Sequence, residues 1–461
     1  MKKKTLLILI EVANRELDSK ILLSLKAIKK NFRVIIGQKG NVWSILDKIK
    51  PSIILLKSFG PRNTKVIDFL KEKNFKIFSN DEELILAWDM NERVNYRFNN
   101  ENTHKIDKLI TVGDFDYEEA KKLFKFSSGK LIKVGNLRLE LLKKNYKKIF
   151  EKDKNFIKNK YGNFIFFATN FVRINTGLKF DHQIDFVYHR IVDDKIDPES
   201  HHISLINDQI IMQREILIQT LKFLDNFEKN SNDKKILLSP HPNENRKFWS
   251  NLFEKRGYKN IILNESKDIP STTFMDASDL VISSNSTSLL ESYFLNKKII
   301  NFLGCESRLI EIKFLKEISN VVRSSDELEQ LLKDFENIKF YKKNSEMNSV
   351  VKNFDESFSS FEYLIREFDN IKIDTVNNPF INRKSEIFLY LLNLSRTLKR
   401  YIKKSLKYEK QTFYHKLHNQ KIGDKMSKVY FMNKIKIINE VENIPNLKVK
   451  QIIPQVFLIE K

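Results

Sequence analysis

Two short stretches hold residue types suited to gripping an anion. The first is SSNSTS, Ser283 to Ser288, where six small polar residues separate the apolar run DLVISS from the helical pattern STSLLESYFLN. A turn between a strand and a helix needs one capping hydroxyl, supplied by Ser286 or Thr287. The surplus of Ser283, Ser284 and Asn285 at a helix N-terminus suits a phosphate, because free backbone N–H groups converge there with the positive end of the helix dipole. The second stretch is LLSPHPNEN, Leu237 to Asn245. Pro240 and Pro242 flank His241, push Ser239 and His241 toward extended backbone and fix the direction of the imidazole. A positioned imidazole donates a hydrogen bond to a phosphate oxygen without a full charge.

Such residues must be carried by a frame. In the first 150 residues, short apolar runs (Thr5 to Ile10, Phe32 to Gly37, Ser52 to Ser58, Phe75 to Asn80, Asp107 to Gly113, Lys130 to Asn136) alternate with amphipathic stretches. Continuous apolar strands separated by helices predict a parallel sheet covered on both faces. The alternation restarts at Phe164 to Thr169 and continues through the helix Asp208 to Lys229 and the strands Lys234 to Ser239, Asn260 to Asn264, Asp279 to Ser284 and Lys297 to Phe302. The expected fold is α/β: two tandem Rossmann-like, doubly wound domains. Both anion-suited stretches then fall at the carboxyl ends of strands, where such sheets bind ligands. The expected divisions are 1–150, 151–345, a return helix and linker over 346–383, and a basic helical extension over 384–461. Residues 175–207, rich in His and Asp, read as a solvated insertion.

The 461 residues exceed one ordinary core, and 41% apolar content suffices for two. The single cysteine, Cys305, excludes an intrachain disulfide and a cysteine-based zinc site, and it suits a reducing compartment. The opening MKKKTLLILIEVANRELD imitates a signal peptide, but its apolar core ends at Glu11 after six residues. With no apolar run of about 18 residues, a cytoplasmic protein is expected. The net charge of +23 is partly local: residues 396–421 hold nine Lys or Arg against the single Glu409. Most aromatic residues lie outside this basic run, which holds Tyr401, Tyr408, Phe413 and Tyr414, and no nucleic-acid partner is expected. In the helical pattern from 384 to about 417, Ile387, Leu391, Leu394, Leu398 and Ile402 share a face, with Arg396, Lys399, Arg400, Lys403 and Lys404 beside or opposite it. Either this stripe packs on the preceding domain or it rests on an anionic membrane surface, which would make the protein peripheral to the inner face of a membrane.

Taken in order, IEVANRELDSKILLSL from Ile10, NDEELILAWD from Asn80, VGNLRLELL from Val134, ATNF from Ala168, SPHPNENRKFW from Ser239 and SSNSTSLLESYFLNKKIINF from Ser283 resemble a family of surface carbohydrate biosynthesis proteins. More broadly, the histidine–proline and serine-rich segments resemble the C-terminal domain of GT-B glycosyltransferases related to capsule-type Kdo transferases. The resemblance implies transfer of a sugar, with a CMP-linked ulosonic acid such as Kdo favoured, from a nucleotide donor to a glycan or glycolipid acceptor of capsule or lipopolysaccharide synthesis. It implies donor contacts from His241, Pro242, Ser283, Ser284, Asn285, Ser286, Thr287 and Glu291, with Asn170 of ATNF beside them. Two departures stand out. The family's Gly-Asn-Pro-Arg reads Gly135, Asn136, Leu137, Arg138, and its acidic run ends in Leu84 instead of Gly.

An inverting transfer needs a base for the acceptor hydroxyl. Glu11, just past the first strand, is the first candidate, Glu83 the second and Asp18 the third; Glu82 shares the rim with Glu83. The same acids also suit helix first turns. A nucleotide-sugar 2-epimerase of the same fold is the alternative enzyme, and a basic nucleic-acid- or membrane-binding protein without catalysis is the alternative outside enzymes. Asp114 and Asp116 spell DxD, but Asp116 with Glu119 reads as a capping box, and no metal or cofactor is expected. No phosphate-cradling GxxxxGK or GxGxxG motif is present in the sequence.

Overall fold

The computed structural model describes all residues except 1, 83–89, 99–100, 125–128, 177–190, 192–196, 231–233, 267, 307–310, 343–346, 348 and 406–421. It divides into two compact units. The first comprises residues 1–85, 90–149 and 344–461, and the second is built from 150–343.

The first unit holds an eight-stranded sheet. Its parallel part is β1 (Thr5–Ile10), β2 (Arg33–Gln38), β3 (Ile53–Leu56), β4 (Lys76–Asn80), β5 (Lys108–Thr111) and β6 (Leu131–Lys133), in the order β2-β1-β3-β4-β5-β6. These are the apolar runs of the sequence, and they are buried along nearly their whole length because helices cover both faces. The chain steps one way from β1 to β2 and the other way from β3 onward, so the strand order reverses between β1 and β3.

Residues 422–461, which carry no readable motif in the sequence, are ordered into the helix Lys428–Glu442 and a hairpin, β13 (Lys448–Ile453) and β14 (Val456–Glu460). The region expected to be a helical extension therefore also completes the sheet: β14 runs antiparallel beside β2, and β13 forms the edge. Gly37 makes this closure possible, since a Cβ there would lie 2.8 Å from the Gln455 carbonyl oxygen and from a Val456 methyl group. The helix Lys428–Glu442 packs on the helix Ala13–Lys29 through Lys434 to Asp18 (3.3 Å) and Lys29 to Glu442 (2.7 Å).

Of the two readings of the leucine stripe, the helix Arg383–Ser405 does not adopt inward packing. Leu389 is the buried apolar residue among those described, joining Phe380, Ile452, Val456 and Leu458 in the core, while Ile387, Leu391, Leu394 and Leu398 face outward. A helix with apolar residues all round one half must choose one face, and Leu389 with the half-buried Leu392 supplies the one that fits the hairpin. Ile402, the last member of that stripe, lies where side chains are outside the described set.

The second unit has one parallel six-stranded sheet: β7 (Ile165–Ala168), β8 (Ile236–Ser239), β9 (Ile261–Leu263), β10 (Leu280–Ser283), β11 (Lys298–Phe302) and β12 (Asn320–Val322), ordered β12-β11-β10-β7-β8-β9. One face packs Phe167, Leu238, Ile282 and Phe302 against Phe223, Leu224 and Phe227 of the long helix His201–Asn230. On the other face, Phe166 stacks on Phe274 at 6.1 Å. Strand order reverses between β7 and β10, so this is a Rossmann-like unit with its switch point between those two strands. His201 and His202, read as part of an insertion, instead open the long helix, whereas His182 and His189 lie outside the described residues.

Candidate functional site

In the second unit, backbone register decides which loops meet. Ser283 of β10 pairs with Ala168 of β7, and Ala168 pairs with Ser239 of β8. The three strands therefore end level, and the segments leaving them emerge side by side at one edge. Thr169 and Asn170 follow β7, Pro240 and His241 follow β8, and Ser284 to Thr287 follow β10. Two inter-strand spacings, about 10 Å, separate the outer pair of strand ends.

Each predicted residue has a definite place there. The buried Ser283 hydroxyl donates to the Ala168 carbonyl at 2.9 Å, stapling β10 to β7 at the switch point. Asn285 adopts a left-handed backbone (φ 45°), which asparagine tolerates better than most residues. Its N–H donates to Asn301 Oδ1 and its Oδ1 accepts from the Ile312 N–H, each at 3.0 Å, so it organises the loop. Ser286 caps the helix Thr287–Phe294, its Oγ accepting from the Ser288 N–H at 3.3 Å. The hydroxyls of the half-buried Ser284 and the exposed Thr287 make no hydrogen bond among the described residues. Together with first-turn N–H groups that no helix can satisfy internally, they form the anion-ready part of the loop. Glu291 is buried one turn into the same helix.

His241 is half-buried, and its Nδ1 accepts from the Asn243 N–H at 3.2 Å. An acceptor at Nδ1 leaves the ring proton of the neutral imidazole on Nε2, the donor tautomer that an anionic oxygen requires. Pro242 is exposed beside it, and Asn170 is half-buried at the end of β7.

What holds this loop is a residue that sequence reasoning passed over. Glu244 is buried, and its Oε1 accepts from Thr169 Oγ1 (2.8 Å), the Phe171 N–H (3.0 Å) and the His241 N–H (3.1 Å), while its Oε2 accepts from Trp249 Nε1 at 2.8 Å. One carboxylate thus ties the segment after β7 to the His241 turn. Burial pushes the carboxyl above its ordinary range, against the pull of its donors. The sequence signal was available: an acid three residues after His241, followed by a buried tryptophan. Arg246 was also missed. Its guanidinium reaches the Asn264 carbonyl at 3.2 Å, bringing a cation to the same edge after β9.

In the first unit, a set of charged groups occupies the carboxyl ends of the strands beside the β1/β3 reversal. Glu11 Oε1 lies 2.7 Å from Lys39 Nζ, and its other oxygen is 3.6 Å from Lys57 Nζ. Burial raises the Glu11 carboxyl, but Lys39 and Lys57 outweigh it and hold it below the usual range. It is therefore ionised at neutral pH and a weaker proton acceptor than a free glutamate. Glu16, not singled out by the sequence, lies beneath it with Lys20 at 3.3 Å and Lys57 at 3.2 Å, and accepts from the Glu11 N–H at 3.0 Å. Burial is again opposed, and the two lysines hold Glu16 at about 2.

Glu82, just past β4, is buried with neither carboxylate oxygen hydrogen-bonded among the described residues, and burial pushes its carboxyl upward. Asn136 donates its amide to the Glu82 carbonyl at 3.1 Å, tying the turn at Gly135 to Arg138 to the segment after β4. Asp18 pairs with Lys434, and Glu83 lies outside the described residues.

The DxD stretch has a structural use with a different geometry from the expected capping box. The Asp116 carboxylate turns back to accept from the Val112 and Gly113 N–H groups at 2.7 and 2.8 Å, while Glu119 pairs with Lys122 at 2.9 Å. Among the described residues, no group of three or more His, Cys, Asp or Glu side chains is arranged to hold a metal ion.

No protein-family model matches the chain. No curated protein matches it either. Among solved structures, it is similar to a UDP-GlcNAc 2-epimerase from Methanocaldococcus jannaschii in complex with UDP-GlcNAc and UDP, at 14% identity and a TM-score of 0.45, over 79% of this chain and 99% of that one. It is also similar to the wall teichoic acid polymerase TagF (15% identity, TM-score 0.48, 79% of this chain and 88% of that one). A third is S. aureus MnaA with UDP (12% identity, TM-score 0.48, 79% and 96%). At these scores the likeness assigns no function to the chain.

Proposed function

We propose that this protein is a GT-B glycosyltransferase that moves a sugar from a nucleotide donor to a glycan or glycolipid acceptor in surface-polysaccharide synthesis. The second unit holds the donor. His241 donates from Nε2 to a phosphate oxygen, and the Ser284, Ser286 and Thr287 group receives the same phosphate at a helix N-terminus, worth about 0.3–1 kcal/mol per favourable charge interaction. Fixed donors aimed at the leaving phosphate stabilise the charge that develops there as the glycosidic bond breaks. The observation that carries this reading is the level ending of β7, β8 and β10 at the switch point, which delivers the His241 turn and the serine-rich turn to one edge.

In this proposal the first unit supplies the acceptor site and the base. Glu11 is the first choice, with Glu83 and Asp18 as the others to be compared by substitution. A CMP-linked ulosonic acid such as Kdo is the favoured donor, resting on sequence resemblance alone. A thermal-shift screen against CMP, CDP, UDP and GDP tests the donor site. One nucleotide should raise the melting temperature of the wild type, and His241→Ala in a still-folded protein should abolish that rise. A protein indifferent to all four, or a rise that survives loss of His241, refutes the proposal. Conversion of the donor sugar with no acceptor present would instead identify an epimerase.

A further inference from the structure

We propose that the helix Arg383–Ser405 lays the first unit on an anionic phospholipid surface, an inference independent of the donor reading. The stripe Ile387 (51% exposed), Leu391 (57%), Leu394 (50%) and Leu398 (59%) runs along one side of the helix, open to solvent over its length. Four large aliphatic side chains aligned at this exposure are unusual for a solvent-facing helix. The opposite side is anchored: Leu389 is in the core, and the preceding segment is pinned by hydrogen bonds from the Lys50 N–H to the Pro379 carbonyl (2.8 Å) and from the Ile381 N–H to the Lys48 carbonyl (3.0 Å). The stripe is thus held outward by a fixed base and is not a fraying end.

Charge identifies the occupant. Between 383 and 405 the sequence holds seven Lys or Arg and a single acid, Glu386. Glu386 is itself paired with Lys450 at 3.1 Å. Lys48, from the neighbouring segment, stands 5.4 Å from the centre of the Phe388 ring beside the stripe. An apolar face with Lys48 beside it, on a helix whose sequence is rich in cations and almost free of acids, fits the boundary between acyl chains and anionic headgroups. No described helix is long and apolar enough to cross a membrane, so this one lies along the surface.

The full-length protein is sedimented with vesicles of phosphatidylcholine alone and of phosphatidylcholine mixed with phosphatidylglycerol, at low and raised salt. The wild type should bind the mixed vesicles and release them as salt rises. Leu391→Glu combined with Leu394→Glu should weaken binding about tenfold or more, because two carboxylates enter the face that meets the acyl chains. Lys403→Gln combined with Lys404→Gln should weaken it by roughly fivefold per charge removed. Both pairs should keep the wild-type melting temperature, which separates loss of binding from unfolding. Absence of wild-type binding, or equal binding by the Leu391/Leu394 variant, overturns the proposal. So does a wild-type dimer, seen by analytical ultracentrifugation, that the same variant splits, since the stripe would then be covered by a second copy of this chain.

Discussion

Replacing Glu244 with Gln tests whether one carboxylate sets the geometry of the His241 turn. The amide is nearly isosteric but has one acceptor oxygen where the acid has two. If that oxygen keeps the Thr169, Phe171 and His241 donors, the amide nitrogen must face Trp249 Nε1–H, donor against donor. One buried hydrogen bond is lost and its donor left unpaired, a cost of about 1–3 kcal/mol. Glu244→Ala strips the acceptor from Thr169, Phe171 and Trp249, all buried, and should cost about 3–5 kcal/mol once relief of the buried charge is counted. Urea unfolding of wild type, Glu244→Gln, Trp249→Phe and the double variant separates the terms. Trp249→Phe removes the opposing donor, so the double variant should be about 1 kcal/mol or more better than the sum of the singles. Nucleotide-induced thermal shift should fall in Glu244→Gln in step with the loosened turn. Additive single and double variants within about 0.5 kcal/mol, or a Gln variant as stable as wild type, would refute the role assigned to this carboxylate.

The first unit offers two further tests. Glu16 is held at about 2, below its usual 4.5, so the stabilisation from its lysine partners is complete above pH 4.5 and lost as pH falls toward 2. Its size is on the order of 3 kcal/mol. Wild type and Glu16→Gln compared by melting temperature from pH 7 to pH 3 should converge on acidification, and parallel curves would count against the buried pair. Gly37→Ala should destabilise by about 1–3 kcal/mol through overpacking against Gln455 and Val456, and an unchanged urea midpoint would show that the hairpin yields freely.

The framework was legible because the parallel strands are uninterrupted apolar runs, a pattern that follows from burial on both faces. Thr5–Ile10 and Leu280–Ser283 could be placed on sight, and with them the strand ends that carry His241 and the serine turn. The hairpin was not legible for the converse reason. β13 is an edge, so Lys448 and Lys450 face solvent and break the apolar run, and its turn is made by Pro454 and Gln455, the latter at φ 64°, in place of an Asn-Gly signal. Composition could not divide the serine cluster by role: Ser283 and Asn285 serve the backbone, while the Ser284 and Thr287 hydroxyls make no hydrogen bond among the described residues. Nor could it rank the acids, since Glu16 and Glu244 draw their importance from lysines and N–H donors that only folding brings near. The outward turn of Ile387, Leu391, Leu394 and Leu398 was likewise a choice between two faces that hydrophobic periodicity alone leaves open.

The pairing of β14 with β2 orders events during synthesis. Residues 150–343 form their own sheet and can settle as soon as they leave the ribosome. The earlier-made β2 has no outer neighbour until residues 456–460 arrive more than four hundred positions later. Throughout that interval its apolar edge is a template for any other extended chain. The sheet begun by β1 and β2 is therefore completed only after the whole of the second unit has been made, and a chain stalled before the hairpin leaves the β2 edge open.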